Sequence, residues 1–79
     1  PRLKALVENV ESSGYLIYET FAQGNQRFGK PTNPEFLLRS GELLELVRGV
    51  LTVVSYEDII VTKPKPAKIQ RICALREHI

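Results

Sequence analysis

Few residues of this chain have the types and spacing that enzyme chemistry requires. The single histidine, His78, is the next-to-last residue, and the only cysteine, Cys73, has no second cysteine for an internal disulfide or a zinc cluster. Glu57 and Asp58 are adjacent in a β-prone segment, so their side chains should point to opposite faces of a strand. They therefore cannot share a proton as a paired acid and base. The residues alone predict no catalytic constellation and no metal site.

One position is favoured for contact with a ligand. Residues 15–21 read as a strand that ends in Glu19, Thr20 and Phe21, directly before a long loop. In parallel α/β sheets, ligands bind beyond the carboxyl ends of the strands. Glu19 and Thr20 are therefore candidates to face a site. The alternative is structural: Glu19 accepts hydrogen bonds from the loop backbone, and Thr20 begins a turn.

The elements that must position these residues follow from the apolar pattern. A helix is predicted over 2–12, with Pro1 at its first position and Gly14 in the left-handed conformation after its end. The residues spaced as its apolar face are Leu3, Leu6, Val7 and Val10. Strand 15–21 is apolar at both odd and even positions, which predicts burial on both faces. The loop 22–38 has no period, and its phenylalanines and leucines predict an ordered loop.

The second half of the chain predicts a helix and two strands. Ser40 is the expected N-cap of a helix over 40–48 that Gly49 closes. A strand is predicted over 50–61, with a polar break at Glu57 and Asp58. The Pro-rich tract 63–66 cannot pair as a central strand and should form a turn before the last strand, 68–76. The order is helix, strand, loop, helix, strand, turn, strand.

Length and composition bound the class of protein. The chain has 79 residues, enough for one domain, and it is 43% hydrophobic and 25% charged, which is typical of a globular protein. No apolar run approaches the roughly 20 residues of a membrane helix, and no signal-peptide pattern opens the sequence. With one cysteine, a cytoplasmic location is the expectation.

Charge is unevenly distributed. Residues 1–58 carry six Lys or Arg against eight Asp or Glu, whereas residues 59–79 carry five against one. The basic excess consists of Lys63, Lys65, Lys68, Arg71 and Arg76. A phosphate-binding patch would need aromatic residues or a recognition helix beside it. Neither is present, so nucleic acid is not the expected partner, and solvated charges on a turn and a strand face are favoured.

Three stretches of sequence resemble a known family. Residues 14–21 read GYLIYETF, residues 33–44 read NPEFLLRSGELL, and residues 56–58 read YED. Together they resemble the C-terminal part of class I S-adenosylmethionine-dependent methyltransferases, in the tellurite-resistance or thiopurine-methyltransferase-like group. The resemblance covers nearly all of this chain but only the last part of the family's domain.

The resemblance implies a Rossmann-like α/β fold with a three-stranded mixed sheet and two helices. The last strand should lie centrally, antiparallel to strands 15–21 and 50–61. It implies a parent enzyme that methylates a small-molecule acceptor, with the cofactor-binding half outside residues 1–79, so the chain alone should be inactive. Glu19, Thr20, Phe21 and Phe28 map to the substrate side, and no cofactor-binding residue can be assigned.

Two further expectations follow. Without the neighbour that the family provides, strand 15–21 should expose an edge through which the chain self-associates. The alternative to the methyltransferase reading is a small stand-alone α+β module for protein interaction or nucleic-acid binding, using the basic residues between Lys63 and Arg71.

Overall fold

The computed structural model describes residues 2–78, apart from the side chain of Arg2, so Pro1 lies outside the described residues. The chain forms α1 (Arg2–Glu8), β1 (Tyr15–Phe21), α2 (Glu42–Val47), β2 (Thr52–Val61) and β3 (Ala67–Leu75). Two short 3-10 turns, Asn25–Arg27 and Pro34–Phe36, lie in the loop between β1 and α2. The predicted order of elements is confirmed.

The three strands form one sheet in the order β1-β3-β2. The central position of the last strand is therefore confirmed. Both pairings with β3 are antiparallel, so the prediction of a mixed sheet is wrong for the described residues. β1 and β2 point the same way but never touch, because β3 lies between them. Their carboxyl ends therefore lie on the same side of the sheet, at the end of the strands where Phe21 pairs with Ile69 and Val61 pairs with Ala67.

The strands bury one face and expose the other. Along β1 the side chains alternate between exposed and half-buried, and Tyr15 and Ile17 are 60% and 79% exposed. The predicted burial of this strand on both faces is therefore wrong. Three of its four odd-numbered residues (Tyr15, Ile17 and Phe21) are apolar, as a two-sided strand requires, yet no helix of the described chain covers them. We call this uncovered side the open face.

The core lies between the two helices and the opposite face of the sheet. It is formed by Val7 of α1, by Leu43 and Val47 of α2, by Leu51, and by Ile72 and Ala74 of β3. Leu3, Val10, Leu16 and Tyr18 pack against this cluster. Leu6, which was predicted to lie on the buried face of α1, is exposed. The helix ends at Glu8 instead of continuing to residue 12 as predicted.

The helix termini differ from prediction at two positions. Ser13, not Gly14, has the positive φ of 65° after α1. Gly14 is needed for another reason: a Cβ there would lie 2.9 Å from the carbonyl oxygen of Glu11. At α2 the N-cap is Gly41, with φ of 74°, instead of Ser40. Gly41 has no side chain to cap the helix, and the Leu43 N–H in the first turn of α2 donates instead to the side-chain oxygen of Gln70 at 3.3 Å.

Of three further features predicted for the second half of the chain, two are confirmed and one is wrong. Gly49 has φ of 76° directly after α2, as predicted for a closing glycine. β2 continues without interruption through Glu57 and Asp58, so the predicted polar break is wrong, and its irregularity lies at Val54 instead. Residues 62–66 form the predicted turn between β2 and β3.

Candidate functional site

A cavity of about 250 Å³ lies on the open face, at the edge of the sheet where β1 and β2 end. We call it the carboxyl-edge cavity. Phe21 and Ile69 line it from neighbouring strands, the loop after β1 contributes Phe28 and Lys30, and the turn between β2 and β3 contributes residues 63–66. Backbone and apolar side chains dominate this lining. The cavity thus lies beyond the carboxyl ends of β1 and β2 and the amino end of β3.

Glu19 lines the carboxyl-edge cavity and belongs to a row of charges across the open face. Glu19, Arg71 and Glu57 are register partners on β1, β3 and β2. The Arg71 Nε atom lies 3.6 Å from a Glu19 carboxylate oxygen and 3.2 Å from a Glu57 carboxylate oxygen. All three side chains are partly exposed, so the row orients Glu19 more than it stabilises the fold.

Phe28 forms one wall of the cavity. The guanidinium carbon of Arg27 lies 5.3 Å from the centre of the Phe28 ring, a cation–π distance. Arg27 is in turn held by a hydrogen bond of 3.2 Å from its Nε to the Gly24 carbonyl. The ring is exposed, so Phe28 does not anchor the loop in the core.

Asn25 anchors this loop instead. Its side chain is 1% exposed, and it accepts a hydrogen bond from the Lys68 N–H at 3.1 Å while donating one to the Pro31 carbonyl at 3.2 Å. Ala22 and Leu37 are the buried apolar residues of the same loop. The loop is therefore ordered, as predicted, because β3 and its own backbone satisfy a buried amide.

Lysines at the mouth of the cavity were missed by sequence reasoning as site residues. Lys30, Lys63 and Lys65 all line it, and none of the three makes an ion pair within residues 2–78. Lys30 is far from the other two in sequence. The sequence feature that the three lysines share is a proline directly after each of them, so Lys-Pro pairs lie at both walls of the cavity.

Thr20 lies on the other side of the sheet from Glu19 and Phe21. It is the register partner of Gln70, whose side chain is fully buried between the sheet and α2. The structure therefore brings three of the four predicted site residues (Glu19, Phe21 and Phe28) to one cavity and places Thr20 away from it.

A second hollow of about 220 Å³ opens on the helix-covered side. Asp58 and Lys68 form an ion pair in its wall, and Gln70 lies at its base. Burial, together with the nearby charge of Arg27, lowers the pKa of Lys68 below its usual 10.5. Lys68 and Asp58 thus pair with each other, and Gln70 bonds to the backbone of Leu43 and Arg39.

The predicted basic patch does not form a single surface. Lys68 is paired with Asp58 on the helix-covered side, and Arg71 is paired with two glutamates on the open face. The Arg76 guanidinium donates hydrogen bonds to the Val7 and Glu8 carbonyls at 3.4 and 3.2 Å. Within residues 2–78, only Lys63 and Lys65 of the five make no such contact, and both belong to the carboxyl-edge cavity.

Comparison with known proteins adds no family. No protein-family model, curated protein or solved structure matches this chain. Over residues 2–78, no three His, Cys, Asp or Glu side chains gather as metal ligands would. Neither described helix has the length and apolar character needed to cross a membrane.

Proposed function

We propose that this chain is the C-terminal part of an S-adenosylmethionine-dependent methyltransferase and contributes the acceptor side of its active site. The observation that carries the proposal is the carboxyl-edge cavity, which contains Glu19, Phe21 and Phe28, three residues that the resemblance assigned to the substrate side. The proposed acceptor is a small molecule, and the proposed compartment is the cytoplasm.

Strand order supports this proposal. The resemblance implied a last strand lying antiparallel between the two strands before it, and β3 has this position between β1 and β2. A chain of three strands joined by ordinary hairpins would order them as they occur in sequence. The loop and α2 between β1 and β2 instead leave a gap of one strand, which β3 fills.

The described residues do not fit the cofactor. The family holds S-adenosylmethionine with a glycine-rich turn and an acidic residue that have no counterpart in residues 1–79. Three lysines at the carboxyl-edge cavity would also repel a sulfonium cation. We therefore assign the cofactor contacts to other parts of the proposed parent protein, and no step through the cofactor is derived from this chain.

The chain's own residues are suited to hold an acceptor. A Glu19 carboxylate oriented by Arg71 can accept a hydrogen bond from a hydroxyl or amine group of the acceptor. Phe21 and Phe28 provide apolar walls that exclude water from the bound molecule. Methyl transfer depends mainly on such positioning, because two reactants must be held in line at short distance.

The proposal is tested with an intact protein that carries this chain. The reading frame upstream of residue 1 should encode a glycine-rich strand–turn–helix, and the intact protein should form S-adenosylhomocysteine when mixtures of small metabolites are added. Glu19→Ala should lower kcat/KM by about tenfold or more, because one oriented acceptor contact is lost.

Thr20→Val is the matched control, since it changes the neighbouring residue on the opposite face of the sheet. It should leave kcat/KM within about twofold while lowering the melting temperature slightly. Equal losses of activity in both variants, or an upstream sequence with no glycine-rich turn, would contradict the proposal.

The open face favours a second candidate, a module for protein interaction. Ile17 is 79% exposed and Tyr15 is 60% exposed on a sheet surface that nothing in residues 2–78 covers. In a methyltransferase these residues would contact the rest of the domain, whereas in a stand-alone module they would contact another protein. The upstream reading frame distinguishes the two candidates.

A further inference from the structure

The carboxyl-edge cavity combines unpaired cations with an apolar interior. Lys30 enters from the loop after β1, and Lys63 and Lys65 enter from the turn between β2 and β3. None of the three forms an ion pair with a carboxylate of residues 2–78. Like charges brought to one opening repel one another, and an anion bound between them removes that repulsion.

Glu19, the only carboxylate that residues 2–78 contribute to the lining, does not cancel this charge. Glu19 lies 3.6 Å from the Arg71 Nε atom, so its charge is already opposed by a cation outside the lining. Glu57 shares the same arginine at 3.2 Å but does not line the cavity. The cavity is therefore positive at its mouth, with one hydrogen-bond acceptor in its wall.

The interior of the cavity is lined mainly by apolar side chains. Ile69 is buried there although it belongs to the open face, because the loop and the turn cover it. Phe21 and Phe28 supply two aromatic surfaces, and Arg27 holds the Phe28 ring in place. A volume of about 250 Å³ is below the roughly 300–1,000 Å³ of pockets for drug-sized ligands.

From these features we infer that the carboxyl-edge cavity binds a small organic anion with a flat apolar body, such as an aromatic carboxylate. The anionic group lies among the lysines, and the apolar body lies between the phenylalanines. A carboxylate and a phosphate ester share this chemistry, since a lysine ammonium binds either as a point charge. The binding of such an anion is inferred from the cavity alone. Its role as the methyl acceptor rests in addition on the proposed function.

The test is a binding titration on the 79-residue chain without cofactor. Benzoate, phenyl phosphate, benzamide and benzylamine are matched in ring size and differ in charge, and acetate and inorganic phosphate carry the charge without the ring. Heteronuclear NMR should show saturable shifts at Phe28, Lys63 and Lys65 with benzoate or phenyl phosphate. Benzamide should bind at least tenfold more weakly, benzylamine should not bind, and added salt should weaken the anions selectively.

Variants separate the charge from the apolar walls. Lys63→Gln with Lys65→Gln should weaken benzoate by about tenfold and leave benzamide unchanged, because only the anion uses the ammonium groups. Lys4→Gln, on the exposed side of α1, removes the same kind of charge elsewhere and should have no effect. Phe28→Ala should weaken every ring-bearing probe and leave acetate unchanged.

Three results would overturn the inference: equal binding of benzoate and benzamide, shifts confined to other parts of the chain, or binding of inorganic phosphate as tight as that of phenyl phosphate. The last would mean that the ring adds nothing. If benzoate binds as expected but the intact protein shows no methyl transfer, the binding site stands and the proposed function fails. Whether benzoate or phenyl phosphate binds more tightly identifies the anionic group.

Discussion

Gln70 is the residue on which the contact between β3 and α2 depends most. It is 0% exposed, its side-chain oxygen accepts a hydrogen bond from the Leu43 N–H at 3.3 Å, and its side-chain nitrogen donates one to the Arg39 carbonyl at 2.6 Å. Gln70→Ala should lower the free energy of unfolding by about 1–3 kcal/mol, because the buried Leu43 N–H loses its acceptor. Urea denaturation measures the loss. Gln23→Ala, at an exposed position, should change stability by less than about 0.5 kcal/mol.

Tyr56 has a buried hydroxyl that finds no well-oriented hydrogen-bond partner within residues 2–78. Burial raises its pKa above the usual 10.0, and the nearby Gly41 backbone opposes this shift only in part. The unfolded chain therefore loses this proton at lower pH than the folded chain does. The resulting contribution to stability is complete below pH 10.0 and is lost as pH rises through the higher pKa of the folded state.

Tyr56→Phe tests this pH dependence. The variant should be as stable as the parent chain at neutral pH, or more stable by up to about 1 kcal/mol, because an unpartnered hydroxyl leaves the interior. It should also lose less stability than the parent chain between about pH 8 and about pH 11, since its ring does not ionise. Urea denaturation across this range, with Tyr15→Phe at an exposed position as control, makes the comparison. Identical pH profiles of the parent chain and Tyr56→Phe would contradict the assignment.

At the scale of elements, β1 has a hydrogen-bonding edge that is only partly covered. The loop bonds to its carboxyl end, where the Leu38 N–H donates to the Phe21 carbonyl at 3.0 Å. The edge of residues 15–20 has no neighbouring strand in the described chain. Free edges pair with other chains, so the chain should form dimers or larger species as concentration rises. Sedimentation velocity over a concentration series should show this association.

The two edge strands provide an internal comparison. Ile17→Lys places a charge on β1 at a position that is 79% exposed and should shift the chain toward monomer. Val54→Lys places the same charge on β2, at an irregularity that already disrupts regular pairing. It should leave the association unchanged. A monomer at all concentrations, or equal effects of the two variants, would rule out pairing through β1.

The turn from α1 into β1 depends on two adjacent small residues with different roles. Gly14→Ala should lower the free energy of unfolding by about 1–3 kcal/mol, because the new Cβ would lie 2.9 Å from the Glu11 carbonyl oxygen. Ser13→Gly should instead raise it by up to about 1 kcal/mol, since Ser13 has φ of 65°. Thermal denaturation of both variants measures these changes in stability. A stabilising Gly14→Ala together with a destabilising Ser13→Gly would exclude this geometry for the turn.

Strand positions could be predicted from the sequence better than strand surroundings. β-branched and aromatic residues located β1, β2 and β3, and the prolines of the turn fixed where β2 ends. The burial of β1 could not be predicted, because apolar residues at Tyr15 and Ile17 are compatible with either a covered or an open face. Helix ends also differed, since the Leu43 N–H in the first turn of α2 is satisfied by the side chain of Gln70 on β3, which is distant in sequence, and not by a serine.

For the whole molecule, the candidate site depends on contacts between segments that are distant in sequence. The end of β1 could be predicted as a site because strand ends are local features. The lysines could not, because Lys30 and Lys63 meet only after Asn25 binds the β3 backbone and β3 pairs with β1. A charged residue on a turn has the same sequence signal whether it faces solvent or a cavity.

The distribution of charge over the whole chain also predicts how it responds to the cofactor. S-adenosylmethionine carries a sulfonium cation, and the carboxyl-edge cavity is surrounded by Lys30, Lys63 and Lys65. Calorimetric titration of the 79-residue chain with S-adenosylmethionine should therefore show no saturable binding. S-adenosylhomocysteine, which has a neutral sulfur, is the control. If it also fails to bind, the chain lacks contacts to the adenosine group. If it binds, charge repulsion is what prevents the binding of S-adenosylmethionine. Saturable, micromolar binding of S-adenosylmethionine would mean that this chain holds a cofactor site of its own, and the assignment of the cavity to the acceptor side would then fail.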